Sequence, residues 1–217
     1  MRTIKVTGRG KIKLHPDTTV VTMSLTGGSP DYAETLRRSS EDTETLRELL
    51  TGFGFGRDDL KTLNFHVDTE YEGYQEDGAY RQRLVGYKFF HTLKLEFPSD
   101  NARLGALLGA LARCPVQPEL QLSYTVRDRE TAKNALLAAA VADAQAKAAV
   151  LASAAGMTLG ALQSIDYALG EPDLAVRPMN RGVLMAKSAA PEAAYDLNIE
   201  PDDIEAADTV TLAWEIA

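Results

Sequence analysis

The sequence predicts an α+β protein, an antiparallel β-sheet with long alanine-rich and amphipathic helices packed on one face. Three observations predict it. Strand-like stretches outnumber helical ones and mostly alternate apolar with polar residues, which leaves each sheet one wet face. Residues 129–156, RETAKNALLAAAVADAQAKAAVLASAAG, hold no proline and no interior glycine and are dominated by alanine, the best helix former. Two alternating stretches, Leu60–Tyr71 and Val85–Phe97, flank a glycine-rich turn, as a long antiparallel hairpin requires.

The elements follow in order. Ile4–Leu14 reads as a strand interrupted by Gly8 and Gly10, a sign of a bulge or of close backbone contact. After the turn His15-Pro16-Asp17, Thr18–Thr26 places Val21, Met23 and Leu25 on one face, and Gly27-Gly28 closes that strand. Ser29-Pro30-Asp31 reads as a helix start with Ser29 as cap, Pro30 at the first helical position and Asp31 as an acid near the positive end. The helix runs to about Leu50 and buries Leu36, Thr43, Leu46, Leu49 and Leu50; Gly52, Gly54 and Gly56 end it. Leu63, Phe65, Val67 and Tyr71 share one side of the next strand, and Gly73–Gly78 is its turn-rich tip.

In the long strand that returns, Val85, Tyr87, Phe89, Leu93, Leu95 and Phe97 face one way, and Lys88, Thr92, Lys94 and Glu96 the other. Ser99 caps a helix over 100–113 that carries Leu104, Leu107, Leu108 and Leu111, and Pro115 and Pro118 stop it. Glu119–Arg127 is a strand with Leu120, Leu122, Tyr124 and Val126 inward. In the alanine helix, Arg129, Lys133, Asp143 and Lys147 form a charged stripe opposite Ala138, Ala142 and Ala149, which are read as the packing face. Gly156 ends that helix, and Leu162–Leu169 is a strand. Residues 171–195 form a long irregular loop, and a last strand aligns Val210, Leu212, Trp214 and Ile216.

The 217 residues suffice for a sizeable core and are read as a single domain, 1–217. Composition is that of an ordinary globular protein, 45% apolar and 25% charged. A formal charge of −8 argues against nucleic acid or an anionic membrane as the main partner. No run reaches the roughly 20 apolar residues of a membrane helix, so no membrane insertion is expected. Cys114 stands alone and excludes an internal disulfide. The first residues alternate at once, without a signal peptide's apolar stretch, so the expected location is cytoplasmic, or exported if a leader has been removed.

Candidate chemistry is sparse. His15, His66 and His91 lack ligand spacing, although His66 and Asp68 share a strand face. Cys114 sits near a helix C-terminus, where the dipole disfavours a thiolate. Gly8-Arg9-Gly10 lacks the third glycine of a phosphate loop and does not open a helix. Scattered acids, Asp58, Asp59, Glu70, Glu72, Glu76 and Asp77, could attract a divalent cation but read more simply as a solvated face. No catalytic residue, cofactor or metal site is expected. The hairpin tip is richer: Tyr71, Tyr74, Tyr80 and Tyr87 intermix with Arg81 and Arg83, the composition of interface anchors.

Several spaced residues resemble the SIMPL-domain family of bacterial exported immunogenic and oxidative-stress-defence proteins. They are Ile4-x-Val6-x-Gly8-x-Gly10, Pro16-Asp17, Gly54, Asp59-Leu60-Lys61-Thr62 and Gly86-Tyr87, then Asp143-Ala144-x-x-Lys147-Ala148-x-x-Leu151-Ala152, Gly156-x-x-Leu159-Gly160, Ile199 and Pro201. The resemblance covers nearly the whole chain and rests on order and spacing together. It implies an α+β domain and, in some members, ring-like or larger homo-oligomers; it carries no catalytic residues. Two departures are the missing signal peptide and Cys114-Pro115, where relatives often have a small Gly/Ala turn.

Three functions are consistent with these features. The first is a non-enzymatic, self-associating protein with a role in stress defence, whose interface residues would be Tyr71, Tyr74, Tyr80, Arg81, Arg83, Ala142 and Ala149. The second is a ligand-binding domain or enzyme with an unrecognised site near the 171–195 loop. The third is an adaptor that captures protein partners at a sheet edge or at the 73–82 hairpin tip.

Overall fold

In the computed structural model, which describes residues 2–76, 79–167, 172–177 and 200–217, the elements run β1 (Thr3–Leu14), β2 (Thr18–Ser29), α1 (Tyr32–Thr51), β3 (Leu60–Glu76), β4 (Ala79–Pro98), α2 (Asn101–Ala112), β5 (Glu119–Thr125), α3 (Arg129–Ala154), β6 (Leu159–Asp166), β7 (Ala175–Val176) and β8 (Ile204–Ile216). This is the predicted α+β class, with the strands in two sheets rather than one. The described residues gather into two compact units. One draws on Met1–Asp17, Tyr124–Val176 and Pro201–Ala217; the other is built mainly from Thr18–Ser123.

The first unit is a three-stranded antiparallel sheet, ordered β1-β8-β6, beneath α3. Val6 of β1 and Val210, Leu212 and Trp214 of β8 pack on Ala140, Ala144 and Ala148. A second cluster joins Leu136 and Ala132 of α3 to Ile204, Ala206, Val126 and Leu174. Close approach is what the two glycines of β1 provide. A Cβ on Gly8 would lie 2.1 Å from the Ala140 carbonyl oxygen and 2.4 Å from the Ala144 nitrogen; one on Gly10 would lie 2.1 Å from the Leu136 carbonyl oxygen. Helix and strand therefore touch backbone to backbone, which only glycine opposite alanine permits.

The packing face of α3 differs from the expected one. The buried residues are Ala132, Leu136, Ala140, Ala144, Ala148 and Ala152, an unbroken i,i+4 ridge, while Ala138, Ala142 and Ala149 are exposed. Charge is a poor guide here because the Asp143–Lys147 stripe lies along the flank of the buried ridge, not opposite it. By length and mean hydropathy, 1.5 over eighteen residues, α3 also meets the requirement for a membrane span that the sequence reading had found nowhere in the chain. Its alanine ridge is packed on the sheet of this unit. Asp128 caps its start and accepts from the Thr131 N–H at 2.9 Å. Gly156, at φ 69°, ends it in a doubly bonded turn: Met157 N–H reaches Ala152 O at 2.9 Å and Gly156 N–H reaches Ser153 O at 3.0 Å.

In the second unit β3, β4, β2 and β5 lie side by side in that order, β4 pairing antiparallel with both β3 and β2, and α1 packs on β2 and β4. Met23, Leu25, Phe89, Leu93 and Leu95 from the strands, with Leu46 and Leu50 of α1 and Leu104, Leu107 and Leu111 of α2, are among its buried apolar residues. Arg103 ties α2 to the turn after α1: its guanidinium stacks 3.9 Å from the Phe55 ring centroid and donates to Phe53 O at 2.8 Å.

Several local expectations shift. The α1 cap is Asp31, whose carboxylate accepts from the Glu34 N–H at 2.8 Å, because β2 continues to Ser29 and holds that residue in the ladder. Asp100, not Ser99, caps α2, accepting from the Arg103 N–H at 3.0 Å. Leu36 is exposed, and the first half of α1 buries Thr35, Ser39 and Thr43 instead. Leu120 is likewise exposed. Part of the expected loop is ordered, since β7 pairs Ala175 and Val176 with Thr125 and Tyr124 and Leu174 is buried. Most of the 171–195 loop lies outside the described residues.

Candidate functional site

The hairpin is longer than its sequence pattern suggested: β3 and β4 pair from Leu60↔Leu95 to Glu76↔Ala79, through the stretch expected to be a loose tip. The tip residues Asp77 and Gly78 lie outside the described residues. A register shift at Glu70/Tyr71 marks where the hairpin becomes a bare two-stranded arm. Every described side chain of β4 from Ala79 to Val85 is exposed. Tyr71 is 58% exposed, Tyr80 72%, Leu84 48% and Val85 39%. Leu63 and Phe65, read as sharing one side of this strand, are exposed too, and β3 is the edge strand of its sheet.

The arm is ordered by its own cross-strand contacts. The Arg83 guanidinium donates to the Glu72 carboxylate at 2.7 Å, and that bond, then the carboxylate's charge, raises the arginine's pKa; the same guanidinium lies 5.9 Å over the Tyr74 ring. Tyr80 reaches across to Gly73, where its hydroxyl fills the place of the missing Cβ. Tyr71, Tyr74, Tyr80, Arg81 and Arg83 therefore stand together on one projecting ribbon. At its base His66 stacks on Phe90 with ring centroids 4.8 Å apart, Lys88 Nζ lies 5.3 Å from the same ring, and His66 Nε2 is 3.9 Å from Asp68. A groove of about 400 Å³ beside them is lined by Gly28, Pro30, Glu70, Gly86 and Lys88.

His91, unremarkable in sequence, is the best-held polar group. Thr43 Oγ1 donates to the Ser39 carbonyl at 2.7 Å, so its proton is committed. The imidazole Nδ1–H therefore donates to Thr43 Oγ1 at 3.1 Å, and Nε2 accepts from Thr62 Oγ1 at 2.9 Å. Burial and the nearby Arg47 charge push the His91 pKa down, which keeps the ring neutral. These contacts explain the buried hydroxyls of Ser39 and Thr43, while Thr35 Oγ1 donates to the Asp31 carbonyl at 2.9 Å. The bonds of His91 satisfy both ring nitrogens.

The remaining candidates separate. His15 Nδ1 lies 3.2 Å from Asp203, which with Lys13 holds that carboxyl below its usual range. Cys114 is buried. Among the described residues no group of three or more His, Cys, Asp or Glu could hold a metal ion. Ala142 and Ala149 are exposed on α3, in the first unit, whereas the arm belongs to the second.

One contact was not legible from spacing. Asp143 pairs with Lys147 at 2.7 Å and also accepts the backbone N–H of Arg9 at 2.7 Å. Ile216 N–H donates to Arg2 O, so even-numbered residues of β1 bond to β8 and the Arg9 N–H points out of the sheet. The carboxylate thus closes one position of an open strand edge, and both partners hold its pKa down, Lys147 first and then the Arg9 N–H.

These features accompany clear kinship. The SIMPL family, described as a protein of unknown function (DUF541), matches residues 4–214. An uncharacterized protein YggE from Edwardsiella ictaluri (strain 93-146) is 23% identical over 164 residues, 76% of this chain and 67% of that protein. With the match running through both units, from β1 to the last strand, the chain belongs to the SIMPL family.

Proposed function

We propose that this protein acts by self-association rather than catalysis, as a homo-oligomeric SIMPL-type scaffold that serves in stress defence. One observation carries the reading: the arm exposes tyrosines, leucine and valine on a two-stranded ribbon that no other part of its unit covers. A two-stranded hairpin alone is marginally stable in water, and three or more strands or a packed face are needed for independent stability. Aromatic residues beside arginine, as at Tyr74 and Arg83, are the composition of binding hot spots. A second copy of the chain supplies the missing cover at no cost in new sequence. The open side of α3, with Ala142, Ala149 and a 68%-exposed Val150, offers a secondary apolar surface.

Multi-angle light scattering at micromolar concentration tests the assembly, with a mass of several chains expected and a strict monomer counting against it. Survival of cells carrying a chain shortened at the arm, under peroxide, tests the defence role; survival equal to the parent's would remove it.

A further inference from the structure

We propose that the contact between copies is heterologous: the basic rank of β1 on one copy receives the acidic rank of β3 on the next. The inference rests on the self-association reading above and names the surfaces that meet. In a chain of net charge −8, β1 carries Lys5, Arg9, Lys11 and Lys13 and no acid. All four sit at odd positions, on the face turned away from α3, since the even positions Val6, Gly8 and Gly10 are the buried ones. Across the ladder Lys11 faces Ala207 and Arg9 faces Thr209, and among the described residues neither side chain has an acidic partner. Lys13 is held by Asp203 at 3.3 Å and Lys5 lies 3.8 Å from Asp166. Arg9, Lys11 and Lys13 line a groove of about 390 Å³ together with Ile12, Ala206, Ala207 and one acid, Glu205, which stands across from Lys13.

The counterpart lies on the edge of the other unit. Asp68, Glu70 and Glu72 occupy successive even positions of β3, so they share a face. Lys88 stands across from Asp68 and Arg83 holds Glu72, but Glu70 faces Gly86 and has no basic partner among the described residues. Both ranks repeat every second residue of a strand, about 6.6–6.8 Å, so three charges on one match three on the other. With Glu70 set against Lys11, the flanking acids fall opposite Arg9 and Lys13 whichever way the strands run. Glu70 also lines the groove at the base of the arm, which gives a lysine side chain a place to enter. Both strands are edges of their sheets, so neither rank is screened by a further strand. A contact that uses two different surfaces propagates from copy to copy, and closes into a ring or continues as a chain.

Sedimentation velocity of the full chain at several salt concentrations tests this, using Lys11→Glu, Glu70→Lys and the two combined, each checked for an unchanged melting temperature. Each single reversal is expected to weaken assembly about tenfold or more, because like charges then face each other. The combined variant is expected to regain it, and wild-type assembly to weaken with salt. Assembly of the single variants at wild-type strength would overturn this contact while leaving self-association in place. Failure of the combined variant to recover would equally overturn it. A monomeric wild-type chain would remove both readings.

Discussion

β1 and β3 are both edge strands with charge at alternate positions, yet the chain finishes them in opposite ways. β1 is locked from behind by α3 through Gly8 and Gly10, and Asp143 closes part of its open side. β3 continues after Glu70 as an arm whose strand partner, among the described residues, is β4. Lysines on an exposed edge are a common guard against uncontrolled strand pairing. The difference teaches two ways to finish an edge strand: backbone contact with a helix in the first unit, and in the second an exposed ribbon ordered by its own cross-strand pairs.

The sharpest way to break the comparison is to add one methyl group to each region. Both Gly8 and Gly73 have an atom within 2.2 Å of where a Cβ would stand, 2.1 Å and 1.9 Å respectively. At Gly8 the obstacle is helix backbone, so Gly8→Ala forces α3 off the sheet and is expected to cost about 3 kcal/mol or more. At Gly73 the obstacle is the end of the Tyr80 side chain, which swings into solvent; Gly73→Ala is expected to change stability by less than about 0.5 kcal/mol. Thermal unfolding of the two variants decides, and equal losses would show that the glycines of β1 have no special role.

A smaller effect concerns the two titrating groups. His91 has its pKa lowered on folding, so the unfolded chain binds the extra proton first as pH falls. Its contribution is complete above the ordinary histidine range and declines as pH drops from there toward the lowered folded value. Unfolding measured from pH 7.5 to 5 should show that decline in the parent and not in His91→Gln. Asp143 works in the same direction at lower pH: its stabilisation is present above the ordinary carboxylate range and is lost as pH falls through its depressed value. Asp143→Ala should therefore be less stable at neutral pH and lose less on acidification below pH 4, read from melting curves. Smallest of all, Ala142→Leu and Ala149→Leu should leave monomer stability within about 0.5 kcal/mol, since both positions are open. A loss of 2 kcal/mol at either would return that side of α3 to the core.

How much of this was legible in the sequence follows from the physics of each part. The fold class, the α3 boundaries and the Gly156 stop were readable because propensity and capping act over a few residues. The sense of Gly8 and Gly10 was readable as close contact, but not its partner. The α3 face was misread because an all-alanine surface has no hydrophobic contrast, and only the sheet's glycines choose which alanines go in. Thr43 was readable as buried, but Thr35 and Ser39 were not, because hydroxyls signal burial only once their partners, the Asp31 carbonyl for Thr35 and the His91 ring for Ser39, are in place. The aromatic and basic residues of the arm were visible, whereas its exposure was not: alternation looks the same on a buried strand and on a free ribbon. Asp143 was visible as part of the charged stripe of α3, but its bond to Arg9 spans 134 positions, beyond any local pattern.

The central claim is that the arm is an assembly surface and not a support of the fold. Tyr71 and Leu84 stand directly opposite each other, so residues 72–83 can be replaced by Asn-Gly, a two-residue hairpin turn. Analytical ultracentrifugation of that shortened chain beside the parent, with melting curves of both, tests the claim directly. We expect the shortened chain to be monomeric at concentrations where the parent assembles, with a melting temperature within a few degrees of it. A shortened chain that assembles as the parent does, or one that no longer folds, would contradict the claim.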